Sequence, residues 1–435
     1  MTDPRAASLR RRILDLVREY CEVAHAAAPF EPGVSRVPYA GRVFDAREVE
    51  NLVESALEFW LTAGPFGREL ERAMRKHFGA ADFLLVNSGS SANLTMISAL
   101  TSPMVESPLR RGDEVVTPAV TFPTTLTPIV QHGLVPVFVD CEIGTYNADP
   151  AAVEAAVGPR TRALMLPHTL GNPFDVSRMT ALAARHGLHL LEDCCDALGS
   201  TFGGRLVGTF GDMASLSFYP AHHMTMGEGG GVIVNRGGLA RAAQSIRDWG
   251  RDCWCPPGQS NTCGKRFEWQ LGDLPPGYDH KYIFSNLGYN LKVTDMQAAV
   301  GLAQLDKLPH FLARRRANFR RLHEGLARWS DRLVLPRWLP EADPAWFGFP
   351  LTVREGVSRL ELVRFLEERR IETRLVFCGN VLRQPGFRGI EHRVVGDLRN
   401  SDTVMNDTFF VGVYPGLTDP MIDYVLESFE AFFRR

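Results

Sequence analysis

Four short apolar runs, at 113–117, 135–140, 162–166 and 188–193, are separated by stretches with helical patterning. No other feature limits the fold as sharply. Strands this short and this apolar leave no face for water, and parallel neighbours need a crossover helix between them, so the series predicts a mostly parallel sheet covered on both faces. A strand-like run at 82–87 precedes the series, and runs at 214–218 and 232–234 follow it. In such sheets ligands sit beyond the carboxyl ends of the strands. Phe122 follows the first of the four runs, His168 follows the third, and Asp193 closes the fourth.

The remaining chain is read around that sheet. Residues 1–50 form an N-terminal helical segment, 51–328 a large domain, and 329–435 a smaller one, where short strand signals such as 347–353 end in an apolar-periodic helix at 420–433. The region 44–77 is helical in pattern, broken by the Gly/Pro turn at 62–67. A long helix capped by Thr294 runs to about Leu326, with a break expected at Pro309. A formal net charge of -2 with a pI near 6.6 gives no electrostatic reason to expect nucleic acid or an anionic membrane as partner. Arg5, Arg10, Arg11, Arg12 and Arg18 interleave with Leu9, Ile13, Leu14 and Val17, a helical pattern without the unbroken apolar stretch of an export signal, and no run is long enough to cross a bilayer. A cytoplasmic location is expected, so the 8 cysteines are read as ligands or reactive thiols instead of a disulfide framework.

Three stretches carry chemistry. Ser88-Gly89-Ser90-Ser91 joins a strand to a helix, where free backbone N–H groups can face a phosphate or be satisfied by simple capping. Between the runs at 214–218 and 232–234 lies a polar loop with His222 and His223, followed by Gly227-Glu228-Gly229-Gly230. The loop at 249–264 holds Cys253, Cys255 and Cys263, three cysteines in eleven positions, which packing does not explain.

Taken in order, Gly89-Ser90, Glu192-Asp193, Ser217-Phe218, Gly227-Glu228-Gly229-Gly230, Gly288-Tyr289-Asn290 and Gln297-Ala298-Ala299 resemble the DegT/DnrJ/StrS family of sugar aminotransferases and dehydratases, over nearly the whole chain. The resemblance implies an α/β fold, the PLP-dependent transferase fold type I (aspartate aminotransferase-like), with a mostly parallel seven-stranded sheet in the large domain and a smaller C-terminal α+β domain. It also implies that Gly89, Ser90 and Ser217 hold the cofactor phosphate, Asp193 the ring nitrogen, Phe122 a stacking face, and His168 a place beside the cofactor. A carboxylate on the pyridine nitrogen keeps it protonated and makes the ring an electron sink; taken alone, Asp193 reads equally as a helix N-cap. Asn290 is implied to reach the phosphate of a second subunit, hence a homodimer. Arg374, Asn380 and Arg383 resemble the segment that contacts the sugar nucleotide, where a guanidinium suits a pyrophosphate.

Three positions depart from the family pattern. His222 stands five residues after Ser217, where the family has its cofactor lysine; Asp196 replaces the usual Gln or His, and Lys292 the usual Arg. An imidazole cannot hold the cofactor covalently, so the resemblance implies free pyridoxamine 5'-phosphate and a blocked transamination cycle. Cys195, Cys253, Cys255 and Cys263 form C-x57-C-x-C-x7-C, similar to the 2Fe-2S ligand pattern of the dehydrases that begin 3,6-dideoxysugar formation; tetrahedral zinc is the alternative, and Cys194 a competing ligand. Cys21, Cys141 and Cys378 read as buried thiols. The reaction implied is C-3 dehydration of a CDP-linked 4-keto-6-deoxyhexose, with His222 (or His223) moving the proton. Electrons would come from a separate NAD(P)H-dependent flavin/iron-sulfur reductase, since the chain has no Gly-x-Gly-x-x-Gly fingerprint of its own. A cluster-free dehydratase and a non-catalytic regulator on the same fold are the rival readings.

Overall fold

The computed structural model describes residues 3–26 and 28–435. Helix α1 (Pro4–Ala24) packs on α2 (Ala46–Glu58), which a capping box between Asp45 and Glu48 starts. After the Gly/Pro turn, α3 (Pro65–Phe78) leads into β1 (Asp82–Val86) and α4 (Gly89–Leu100). Strands and crossovers then alternate: β2 (Glu114–Pro118), α5 (Pro123–Gln131), β3 (Val135–Val139), α6 (Pro150–Ala156), β4 (Thr161–Pro167), α7 (Val176–His186) and β5 (His189–Asp193). A short ribbon of β6 (Thr201–Phe202) and β7 (Arg205–Leu206) precedes β8 (Met213–Ser217), β9 (Gly230–Val234) and α8 (Ala240–Arg247).

The main sheet has eight strands in the order β1-β9-β8-β5-β4-β2-β3-β14, where β14 is Arg393–Val394. All neighbours are parallel except β9, which runs antiparallel to both β1 and β8. The seven expected strands are present, and the correction is the eighth, brought by the C-terminal part of the chain. It is held there because Arg393 donates twice to Glu114, at 3.2 and 2.7 Å, and once to the Ala156 carbonyl at 2.6 Å. The central strands are buried on both faces, as their unbroken apolar sequences require.

Helix α9 (Asp295–Leu326) begins at a Thr294–Gln297 capping box and continues through Pro309, where a break was expected. Proline removes one backbone donor, but Leu308 and Phe311 beside it are almost fully buried, and packing on both sides of the ring holds the helix together. Its C-terminal half belongs to the second core: Phe319, Leu322 and Leu326 pack with Phe349, Leu351 and Phe409, and Phe319 stacks on Trp346 at 4.4 Å. That core covers an antiparallel sheet of β10 (Leu333–Val334), β12 (Gly348–Val353), β15 (Thr408–Gly412) and β13 (Thr373–Arg374), in this order, with α10 (Arg359–Glu368), α11 (Arg399–Asp407) and α12 (Asp419–Phe433) around it. β11 (Ala342–Asp343) joins the ribbon of β6 and β7. Between α1 and α2 the chain reaches this second body, where Val37 bridges Ile371, so residues 1–50 do not form one separate layer.

Candidate active site

The carboxyl ends of β5 and β8, the turn before α4, and the loops at 219–222, 347 and 374–377 enclose a cavity of about 430 Å³. The turn is built to admit an anion. Ser88 caps α4, its Oγ accepting from Ser91 N at 3.0 Å, which leaves the N–H groups of Gly89 and Ser90 at the cavity. A Cβ on Gly89 would fall 2.7 Å from Ser217 Cβ and 2.8 Å from Cys195 Sγ. Only glycine lets that turn and the end of β8 approach so closely. On the other side a Cβ on Gly230 would enter the Ser88 carbonyl group. Gly230→Ala is therefore expected to push the turn off β9, costing about 1–3 kcal/mol by overpacking, and to weaken binding of an anion at the turn; a thermal melt and a phosphate titration read both effects.

Asp193 closes β5 with its carboxylate in the cavity wall, 6% exposed. It accepts four hydrogen bonds: from Asn93 Nδ2 (2.9 Å), Thr125 Oγ1 (2.7 Å), Ser215 Oγ (3.0 Å) and Cys195 N (3.1 Å). Donors from three elements and the strand's own continuation thus fix its position. Asn93 Oδ1 is buried in the same wall without a partner. Phe122, at the head of α5, is half-exposed and lines the opening with its ring near Phe377.

His222 lines the cavity and His223 does not. The His222 ring tilts against Phe347 at 5.1 Å, and its Nδ1 is 3.3 Å from Asp196 Oδ1, an ion-pair distance without hydrogen-bond alignment. With Nδ1 turned to that carboxylate, Nε2 is the atom free for chemistry. His223 points the other way: its Nε2 is 2.6 Å from the Ala345 carbonyl, which can only accept, so the proton sits on Nε2. Burial, reinforced by the nearby Arg315 guanidinium, pushes the His223 pKa well below the ordinary imidazole value. The loop carrying both residues is gripped from α9 by Arg315, which is 1% exposed and donates to the carbonyls of Ala221, His222, Trp346 and Phe347.

Other expected site residues stand differently. His168 lines the cavity, but its Nδ1 accepts from Phe174 N and its Nε2 donates to Glu192 at 3.0 Å, so it offers a cofactor no hydrogen bond and acts through Glu192. Of the three residues expected on the sugar nucleotide, Arg374 lines the cavity, 4.0 Å over the Tyr39 ring. Arg383 spends its fork on Asp402 at 3.1 and 2.7 Å, and Asn380 donates to the same carboxylate while capping the turn after it; neither reaches the cavity wall. Asn290 is exposed, outside this cavity, and accepts from Lys292 Nζ at 2.7 Å.

The cysteines fall into two places. Cys195 is in the cavity wall with its Sγ 3.6 Å from Ser215 Oγ, and burial beside Asp193 raises its thiol pKa well above normal. Cys253, Cys255 and Cys263 share the irregular loop after α8, where Cys255 Sγ accepts from Thr262 N and Cys263 Sγ from Lys265 N, both at 3.4 Å. These thiols are not drawn together as a ligand set: among the described residues, the group of His, Cys or carboxylate ligand atoms lying within 4.8 Å of one another is His168, Glu192 and Cys194. Glu192 there is already filled by His168 and the N–H groups of Gly208, Phe210 and Gly211.

Sequence reasoning missed Asn93, Thr125 and Arg315. Asn93 had a signal, one helical turn after Gly89 on the same face of α4; Arg315 had none, since an arginine on a charged helix reads as solvated.

The large mostly parallel sheet, with a cavity at its strand ends lined by a fixed carboxylate and a helix N-terminus, is that of the fold type I enzymes that use pyridoxal or pyridoxamine phosphate. The chain belongs to the DegT/DnrJ/EryC1/StrS aminotransferase family, whose model matches residues 43–430. It is 52% identical to lipopolysaccharide biosynthesis protein RfbH of Salmonella typhimurium, over 98% of this chain and 99% of that one. It is 54% identical to dTDP-4-dehydro-2,6-dideoxy-D-glucose 3-dehydratase of Saccharopolyspora spinosa, over 97% and 91%. Among solved structures, Escherichia coli GDP-4-keto-6-deoxy-D-mannose-3-dehydratase with bound hydrated PLP superposes with a TM-score of 0.82 at 29% identity, covering 90% of this chain and 98% of that one.

Proposed function

We propose that the protein is a pyridoxamine phosphate-dependent 3-dehydrase of a nucleotide-linked 4-keto-6-deoxyhexose, the CDP-linked glucose derivative in particular. The observation that carries this reading is His222 in the cavity at the family's lysine position, in the same wall as a fixed Asp193. The residues fit the cofactor: Gly89 leaves the phosphate turn open, Asp193 is held by four donors, and Asn93 Oδ1 is buried without a partner. When bound, pyridoxamine phosphate supplies an amine for the sugar ketone and a ring that accepts the electrons of a broken C–H bond. Asp193 would keep the ring nitrogen protonated, the Gly89 and Ser90 N–H groups with Ser217 would hold the phosphate, and Phe122 would cover a ring face. His222 Nε2 would be the group placed to move a proton between the carbon next to the cofactor nitrogen and the departing C-3 hydroxyl, with Asp196 balancing its positive charge. His168 stabilises the wall through Glu192. Arg374 at the cavity opening meets the sugar nucleotide. Asn290 completes the phosphate site of a second subunit in a homodimer.

The same reading includes a 2Fe-2S cluster on Cys195, Cys253, Cys255 and Cys263, supported by their C-x57-C-x-C-x7-C spacing and by the backbone N–H···S contacts in the loop. Held there, such a cluster would supply one-electron transfer from a flavin/iron-sulfur reductase. In the anaerobically purified chain, reconstituted with iron, sulfide and pyridoxamine phosphate, about two irons per chain are expected, and CDP-4-keto-6-deoxy-D-glucose should lose its C-3 hydroxyl in a net reduction only when a reductant is present. Net conversion to the reduced 3-deoxy product without iron or reductant would remove the cluster and reductase and leave a cluster-free dehydratase; no loss of the C-3 hydroxyl under any condition would overturn the whole reading.

A further inference from the structure

Helix α1 lies ahead of the family-matched residues 43–430, and its apolar surface is wider than the core needs. One side, with Arg10, Leu14, Val17 and Cys21, faces the body of the chain: Cys21 is buried, Leu14 and Val17 are half-buried, and Arg10 pairs with Glu54 and Glu58 of α2. The adjoining stripe of Leu9, Ile13, Leu16, Tyr20 and Val23 is exposed, from 38% at Ile13 to 79% at Val23. Its spacing of four, three, four and three residues is the seam of a coiled coil, where such positions insert into a facing helix. A contiguous apolar stripe on a soluble surface marks a contact with another chain.

The charges choose the occupant. One flank of the stripe, through Arg10 and Val17, is already taken by the packing on α2, and the ion pairs of α1 are Arg10 with Glu54 and Glu58, and Arg18 with Asp15 and Glu50. The free flank carries Arg12, just before Ile13, and Glu19, just before Tyr20, both exposed and without an ion partner among the described residues. In a parallel pair of identical helices the Arg-rich first halves, with Arg5, Arg10, Arg11 and Arg12, would lie together and repel. In an antiparallel pair Leu9 meets Tyr20 of the other copy, Ile13 meets Leu16, and Arg12 faces Glu19 on the open flank, twice by symmetry.

We propose that α1 pairs antiparallel with the α1 of a second copy of this chain, through the Leu9–Val23 stripe, with reciprocal Arg12–Glu19 ion pairs. The contact goes beyond the proposed chemistry and does not rest on it. Sedimentation equilibrium of the full-length chain tests it. Leu16→Glu, a change at an exposed position, is expected to reduce the assembly mass about twofold, as loss of one twofold interface requires. Arg12→Glu should weaken association, because it puts two acidic residues together, and Arg12→Glu combined with Glu19→Arg should restore the wild-type mass. A wild-type chain that sediments as a monomer, an unchanged mass in Leu16→Glu, or a charge-swapped double variant that fails to recover would each overturn the proposal.

Discussion

His222→Asn is expected to lower the dehydration rate by on the order of 10²–10⁴, the range that one positioned proton-transfer group contributes, while pyridoxamine phosphate still binds. The two effects separate because the groups assigned to the cofactor (Gly89, Ser90, Ser217, Asp193 and Phe122) come from other elements than the loop bearing His222. Asparagine keeps a polar, though smaller, side chain but cannot cycle a proton near neutral pH. The check is single-turnover loss of the C-3 hydroxyl beside a cofactor titration on the same variant; retained turnover would remove His222 from the mechanism. His223 offers no replacement, since its Nε2 is turned to the Ala345 carbonyl and burial keeps its ring neutral.

Arg315→Met should cost more stability than any surface change, on the order of 3–5 kcal/mol, as when one partner of a buried charged contact is removed. The guanidinium donates to four carbonyls from two segments, at 3.3 and 3.2 Å to Trp346 and Phe347 and at 3.4 and 3.0 Å to Ala221 and His222. Methionine fills the volume but leaves those acceptors buried without donors. Arg315→Lys is expected to recover only part of the loss, because one ammonium cannot span both segments as a planar fork does. Chemical denaturation of the three proteins reads the ranking, and equal stability of wild type and Arg315→Met would show that the loop is held by other means.

The candidate site was legible where chemistry dictates residue type at a fixed place along the chain. Asp193 at a strand end, Gly89 in a turn and His222 five residues past Ser217 are local facts, and the cavity brings all of them together. The pairing of Arg383 and Asn380 with Asp402 was not legible, because that partner is far along the chain and meets them only on folding. The bond of His168 to Glu192 was hidden in the same way.

From the sequence by itself come the parallel sheet, the order of its crossovers and the strand-end site, because apolar periodicity and strand length allow no other burial of those runs. The spacing from Ser217 already favoured His222, and only the structure shows His223 turned away to the Ala345 carbonyl. Tertiary structure alone brought β14 to the sheet edge through Arg393 and Glu114, carried α9 through Pro309, and placed a charged Arg315 in the core. In each case the deciding contact joins residues distant along the chain, and its energy exists only once both segments are packed.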